Sequence, residues 1–93
     1  MRFEWDAKKA SLNRAKHGVT FDEAASIFHD PMAMEFFDEE HSATEDRFVT
    51  IGMSERPRLL VVVHTERSAD TIRIISARRA TKAEGVVYAK GQP

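Results

Sequence analysis

Five consecutive apolar residues, Leu59-Leu60-Val61-Val62-Val63, constrain this chain more than any other feature. A strand with one wet face alternates apolar and polar residues, so an unbroken run rich in valine predicts a strand in the middle of a sheet, covered on both faces. Turn signals bound it on either side, Glu55-Arg56-Pro57 before and Arg67-Ser68-Ala69-Asp70 after. Beyond those turns lie two more strand patterns. Arg47 to Ser54 alternates, with Gly52 marking a bulge or a close backbone approach, and Thr71 to Ala77 is β-branched. The middle of the chain is therefore expected to form an antiparallel meander.

Helix signals surround that meander. Arg2 to Trp5 alternates like a short half-buried strand, and Asp6 then caps a helix from Ala7 to His17, which Gly18 stops in a left-handed conformation. Thr20 and Glu23 stand at capping-box spacing, and Phe21, Ala24, Ala25 and Phe28 recur on one helical face before Asp30-Pro31. Met32 to Phe37 reads as a strand leading into an exposed loop, Asp38 to Ser42. A second capping box, Thr81 to Glu84, opens a final helix through Ala83, Val86 and Val87, despite Gly85, whose cost relative to Ala is about 1 kcal/mol. Gly91-Gln92-Pro93 reads as a frayed end. The expected fold is α+β: one domain over residues 1–93, with an antiparallel twisted sheet of about four strands, two N-terminal helices and a C-terminal helix. The sheet face away from the first two helices is either covered by the last helix or open to a ligand.

Composition narrows the function. With 93 residues the chain has room for one core, and 42% hydrophobic against 31% charged residues is a globular balance, not a disordered one. No cysteine is present, which removes thiol chemistry, disulfides and Cys-based zinc sites. No apolar stretch reaches the length of about 18 residues that spans a bilayer, and Met1 to Asp6 is neither basic nor apolar. A cytoplasmic protein without membrane contact is the expectation. The net charge of −1 hides an asymmetry: residues 1–46 carry five Lys/Arg against eleven Asp/Glu, whereas residues 47–93 carry nine against four. A basic second half can present a phosphate-attracting patch, unless the halves intermix in space and cancel.

Few residues offer chemistry. His17, His29, His41 and His64 show no metal-ligand spacing, and the Asp38 to His41 run reads as a solvated loop, so neither metal nor cofactor is expected. His64-Thr65-Glu66 matches the H-x-E of zinc deaminases, but the required cysteines do not exist. No nucleophile elbow or phosphate loop occurs. What remains is a set of arginines on strands, Arg47, Arg73, Arg78 and Arg79, with His64 and Glu66 ending the central strand. A hairpin about Glu55 to Pro57 would bring Arg47 and His64 to one corner. Such a corner suits metal-free RNA cleavage: guanidinium groups meet the charge growing on the phosphate, and His64 or Glu66 moves the proton. The plainer alternative is that the arginines are solvated edge charges and His64 is a satisfied strand histidine.

Phe3-Glu4-Trp5-Asp6, Lys16-His17-Gly18-Val19, Phe21-Asp22-Glu23-Ala24-Ala25, Phe28-His29-Asp30-Pro31, Arg47-Phe48-Val49-Thr50-Ile51-Gly52 and Arg73 to Thr81 resemble, in order, the blocks of the BrnT toxin family. The resemblance runs from Phe3 to about Tyr88. It implies a type II toxin with a RelE-like fold, a ribonuclease that arrests translation. It also implies neutralisation by a BrnA antitoxin of ribbon-helix-helix type, through which the complex would reach operator DNA. By position, Lys16, His17, Arg47, Arg73, Arg78 and Arg79 fall in the matching blocks. Together with the strand reading above, Lys16, His17, Arg73, Arg79 and Tyr88 are expected to bind RNA and Arg47, His64, Glu66 and Arg78 to act in catalysis, Tyr88 being as readily a core-edge aromatic. The last helix departs from the family pattern in lacking a dense basic run before Tyr88. The acidic Asp38 to Asp46 segment is an expected docking surface for basic antitoxin residues. The competing class is a non-catalytic module that only holds a DNA-binding partner; direct DNA binding by this chain has no basic excess or recognition helix behind it.

Overall fold

A computed structural model describes residues 1–91 of the chain; of the expected frayed end Gly91-Gln92-Pro93, Gly91 donates its N–H to the Val87 carbonyl at 3.1 Å and Gln92-Pro93 lie outside the described residues. The elements are β1 (Arg2–Glu4), α1 (Ala7–His17), α2 (Phe21–Ser26), β2 (Met34–Phe37), β3 (Arg47–Met53), β4 (Leu59–Ser68), β5 (Thr71–Arg79) and α3 (Lys82–Lys90). One sheet contains all five strands in the order β1-β5-β4-β3-β2, so the apolar run of β4 is central as its composition demands. The expected sheet of about four antiparallel strands is corrected on two counts. It has five strands, and β1 pairs with β5 in parallel, Phe3 opposite Ile72. Nothing local in a three-residue strand shows which partner it will find almost seventy residues later.

Even-numbered residues of β4 point at the helices. Leu60 and Val62 pack there with Ile74 and Ala77 of β5 and with Val19, Phe21, Ala24 and Ile27 from α2 and its flanks, all of them nearly free of solvent. Gly52 serves close approach: a Cβ there would lie 3.0 Å from the Ile27 Cβ. The helices begin where the sequence predicts and α1 ends there too, but α2 stops at Ser26, short of the expected end before Asp30, and Ile27–His29 continue as a 3-10 turn. Asp6 accepts a hydrogen bond from the Lys9 amide at 3.0 Å, and Gly18 takes φ +68°. Thr81 and Glu84 form the complete second capping box. The first is only half formed. Thr20 accepts from the Glu23 amide at 3.1 Å, but the Glu23 carboxylate turns inward to Arg58 and to the Ser54 hydroxyl at 2.7 Å, buried at 3% exposure. The Arg58 guanidinium, and then Ser54, hold this carboxyl below its ordinary range.

Beyond β1 the edge of β5 would be bare, and α1 closes it with one side chain. The Asn13 amide donates to the Ala77 carbonyl at 2.8 Å and to the Val19 carbonyl at 3.0 Å, while its oxygen accepts from the Ala77 N–H at 3.1 Å. Asn13 thus stands in for a neighbouring strand. On the other sheet face α3 covers one end. Gly85 sits close to Leu59, the Arg78 guanidinium joins Glu84, and Ile51 and Val61 beneath are 5% and 3% exposed. The rows beyond it, Phe36-Val49-Val63-Ser76 and Arg47-Thr65-Arg73-Glu4, keep partly exposed side chains, Thr65 excepted. Among the described residues no helix is long and apolar enough to cross a membrane.

Candidate functional site

Sheet register assembles the site. Arg47 of β3 lies opposite Thr65 of β4, Thr65 opposite Arg73 of β5, and Arg73 opposite Glu4 of β1, so four strands contribute one transverse row. Directly opposed residues share a face. Two strand spacings put the Arg47 and Arg73 backbones about 10 Å apart, a gap that two guanidinium arms can close around one anion. Arg73 donates to the Glu4 carboxylate at 2.9 Å, and the Arg47 side chain has no hydrogen bond or ion pair among the described residues. Between them Thr65 is 1% exposed and its hydroxyl has no partner among the described residues. Leaving a buried hydroxyl unpaired costs about 1–3 kcal/mol. Two guanidinium forks on either side of an unsatisfied hydroxyl are groups that can donate to a phosphate, Arg73 being paired with Glu4 in the resting fold.

Arg78 shares this face but not this position. It lies opposite Val61, four residues along β4 from Thr65, hence about 13 Å from the row. Its guanidinium is committed to both Glu84 oxygens, at 2.8 and 2.7 Å, and that pairing holds the Glu84 carboxyl down at about 2. The cations that flank one position are therefore Arg47 and Arg73, where the sequence suggested Arg47 and Arg78. Arg79 follows on the opposite face, exposed, at the end of β5.

The expected corner shared by Arg47 with His64 and Glu66 does not form. Because Arg47 pairs with Thr65, His64 is one residue out of phase and points to the helix side, with Glu66 following it on that side. His64 is fully buried, stacked on Phe48 at 5.9 Å and edge-on to Phe28 at 4.9 Å, with Nε2 2.7 Å from the Thr50 hydroxyl and Nδ1 unpartnered among the described residues. Burial pushes its pKa down to about 4, so the ring is neutral in the folded protein. The unfolded chain binds this proton near pH 6.5, the folded one only near 4, so stability is complete above 6.5 and falls as pH drops through that window. The expected loss by pH 4 is about 3 kcal/mol, checked by denaturant titrations across that range; replacing His64 by Gln should flatten the slope.

Two expected RNA contacts lie beside the face. Lys16 and His17 line a groove of about 220 Å³ between α1 and β5, with Lys9 and Ser76. Ser76 belongs to the uncovered face, so the groove continues it around the sheet edge. Tyr88 is elsewhere, its hydroxyl donating to Asp30 at 2.7 Å, and burial with that carboxylate pushes it up to about 12. Sequence reasoning passed over Thr65, Glu4, Lys9 and Asn13. The strand parity that sets Thr65 opposite Arg47 was available in the length of the Glu55 to Pro57 turn; the pairing that adds Glu4 was not. Among the described residues no cluster of His, Cys, Asp or Glu could hold a metal ion.

Residues 5–84 match the family model described as ribonuclease toxin, BrnT, of type II toxin-antitoxin system. The fold is similar to the crystal structure of the Brucella abortus ribonuclease toxin BrnT, with a TM-score of 0.67 and 25% sequence identity over 88% of this chain and 99% of that one. Comparison with curated proteins finds no match.

Proposed function

The chain belongs to the BrnT family of ribonuclease toxins of type II toxin-antitoxin systems, and from that premise we propose that it cleaves RNA on the uncovered sheet face without a metal ion. The observation that supports this reading is the pair Arg47 and Arg73 flanking the unpartnered Thr65 hydroxyl. A phosphodiester seated there would meet two planar, permanently charged forks and one neutral donor, the groups that stabilise charge on non-bridging oxygens as the 2′-hydroxyl attacks. Arg78 and the Lys9, Lys16 and His17 groove extend the positive surface to neighbouring phosphates. Arg79 and Tyr88 lie off this path, and His64 has no access to it.

The same reading takes the antiparallel β5-β4-β3-β2 core as RelE-like, the chain as a single cytoplasmic toxin domain, and the cognate partner as a BrnA-like ribbon-helix-helix antitoxin that alone touches operator DNA. The exposed acidic residues Glu39, Glu40, Glu45 and Asp46 of the Asp38 to Asp46 segment, beside the exposed Phe37, offer that antitoxin a surface for basic and apolar side chains. The test is expression of the chain alone, followed by assay of the purified protein on RNA. Growth arrest and RNA cleavage are expected, and excess EDTA should leave the rate within about twofold, since arginines supply the charge that a metal would. A chain that neither arrests growth nor cuts RNA would be the binding module of the competing reading, and a rate abolished by EDTA would end the metal-free one.

A further inference from the structure

We propose that Glu4 is the proton acceptor of this reaction and that Arg73 is the arm that presents it to the scissile phosphate. The inference rests on the ribonuclease reading and goes beyond it, because neither His64 nor Glu66 shares the face with the arginines. Strand parity leaves few candidates. Across β1 to β5 the described residues that register places on the uncovered face and that ionise are Arg2, Arg47, Arg73, Arg78 and Glu4, and Arg67, in the irregularity after Glu66, adds only another guanidinium. Arginine does not give up its proton in a protein, so among these Glu4 alone can take one.

Its setting suits the task. Glu4 ends the row Arg47-Thr65-Arg73-Glu4, its side chain 42% exposed and held by Arg73 at 2.9 Å. Two other carboxylates near this face are engaged. Glu84 binds Arg78 through both oxygens and also accepts from the Thr81 amide at 2.8 Å, while Asp6 caps α1. An incoming phosphate competes for Arg73, and as the guanidinium turns to the phosphate oxygens the Glu4 carboxylate is released beside the ribose. For Thr65 to donate its unpartnered hydroxyl to a non-bridging oxygen, the side chains that close it from solvent must part.

The step balances without a cofactor. The 2′-oxygen forms its bond to phosphorus as its proton passes to a Glu4 carboxylate oxygen. The bond from phosphorus to the 5′-oxygen breaks with its electron pair, and that oxygen takes a proton from water. The hydroxide left by the water removes the proton from Glu4, which returns as carboxylate. The products are a 2′,3′-cyclic phosphate and a 5′-hydroxyl.

The test pairs Glu4→Gln with Arg73→Ala, assayed on an RNA oligonucleotide and on its all-2′-deoxy analogue, which binds but lacks the attacking hydroxyl. Glu4→Gln is expected to lower kcat by about 10²–10⁴-fold while binding the analogue within about threefold of wild type, whereas Arg73→Ala weakens the analogue as well. Glu4→Asp keeps a carboxylate and should recover about tenfold of the loss, which separates chemistry from misfolding. Wild-type cleavage that survives Glu4→Gln within about threefold would overturn the assignment and leave the ribonuclease reading intact. So would a Glu4→Gln variant that loses analogue binding as Arg73→Ala does, since Glu4 would then only position Arg73. A wild-type chain that cuts no RNA would overturn both.

Discussion

Replacing Arg47 and Arg73 together by alanine is expected to slow RNA cleavage by about 10³–10⁴-fold in single-turnover assays, with the unfolding midpoint little changed. Removing one donor to a developing oxyanion typically costs about 10²–10³, and two donors to the same phosphate do not combine fully, because each partly compensates for the loss of the other. Stability should hold because Arg47 has no partner to lose among the described residues and Arg73 loses only the half-exposed Glu4 pair, a class of ion pair worth about 0–1 kcal/mol. Arg73→Lys should recover little of the rate. It retains the charge but not the planar fork that spans a phosphate edge. Arg78→Ala should weaken cleavage much less than either, since the Arg78 guanidinium lies away from the row and already holds Glu84 at the start of α3. A double variant as fast as the native chain would remove this face from the reaction.

That prediction names Arg73 beside Arg47, and the sequence by itself pointed to Arg78, for a reason rooted in strand geometry. The unbroken Leu59 to Val63 run places β4 at the sheet centre, and Asp6, Gly18, Thr20 and Thr81 mark helix ends through local hydrogen bonding, so both kinds of signal survive without knowledge of the fold. The site depends on something finer. A side chain's face flips with each residue of register, and a single step decides whether Arg47 meets His64 or Thr65. The register between β4 and β5 also shifts after Val63, where Ile75 has no opposite residue, and no local pattern announces that irregularity. The β1 pairing that delivers Glu4 is set by the whole packed core. His64 illustrates the converse error: its chemistry suits catalysis, yet its even position in a central strand sends it among Phe28 and Phe48. Residue type identified the arginines; parity decided which of them share a row.

The largest stability effect is expected at Asn13, a residue with no chemistry of its own. Asn13→Ala removes three hydrogen bonds and strands the Ala77 N–H, the Ala77 carbonyl and the Val19 carbonyl in a buried setting. Each unsatisfied group costs about 1–3 kcal/mol, but the groove between α1 and β5 is lined in part by Asn13 and can admit water to some of them. A net loss of about 3 kcal/mol follows, against a total of about 5–15 for a natural domain, and a midpoint lowered by about 12–24 °C. Asn13→Asp should fare worse than its shape suggests. It can still accept from the Ala77 N–H, but it turns a negative oxygen toward two carbonyls where an amide had donated. Hydrogen exchange locates the damage: the Ala77 amide and its neighbours on β5 should open first, well before the amides of β4. Because α1 positions Lys16 and His17 against that same stretch of β5, Asn13→Ala should also weaken RNA binding when assayed well below its midpoint, while the cleavage rate of bound RNA at the Arg47-Arg73 row stays close to native. A variant as stable as wild type, with the Ala77 amide equally protected, would mean that the β5 edge is satisfied without Asn13.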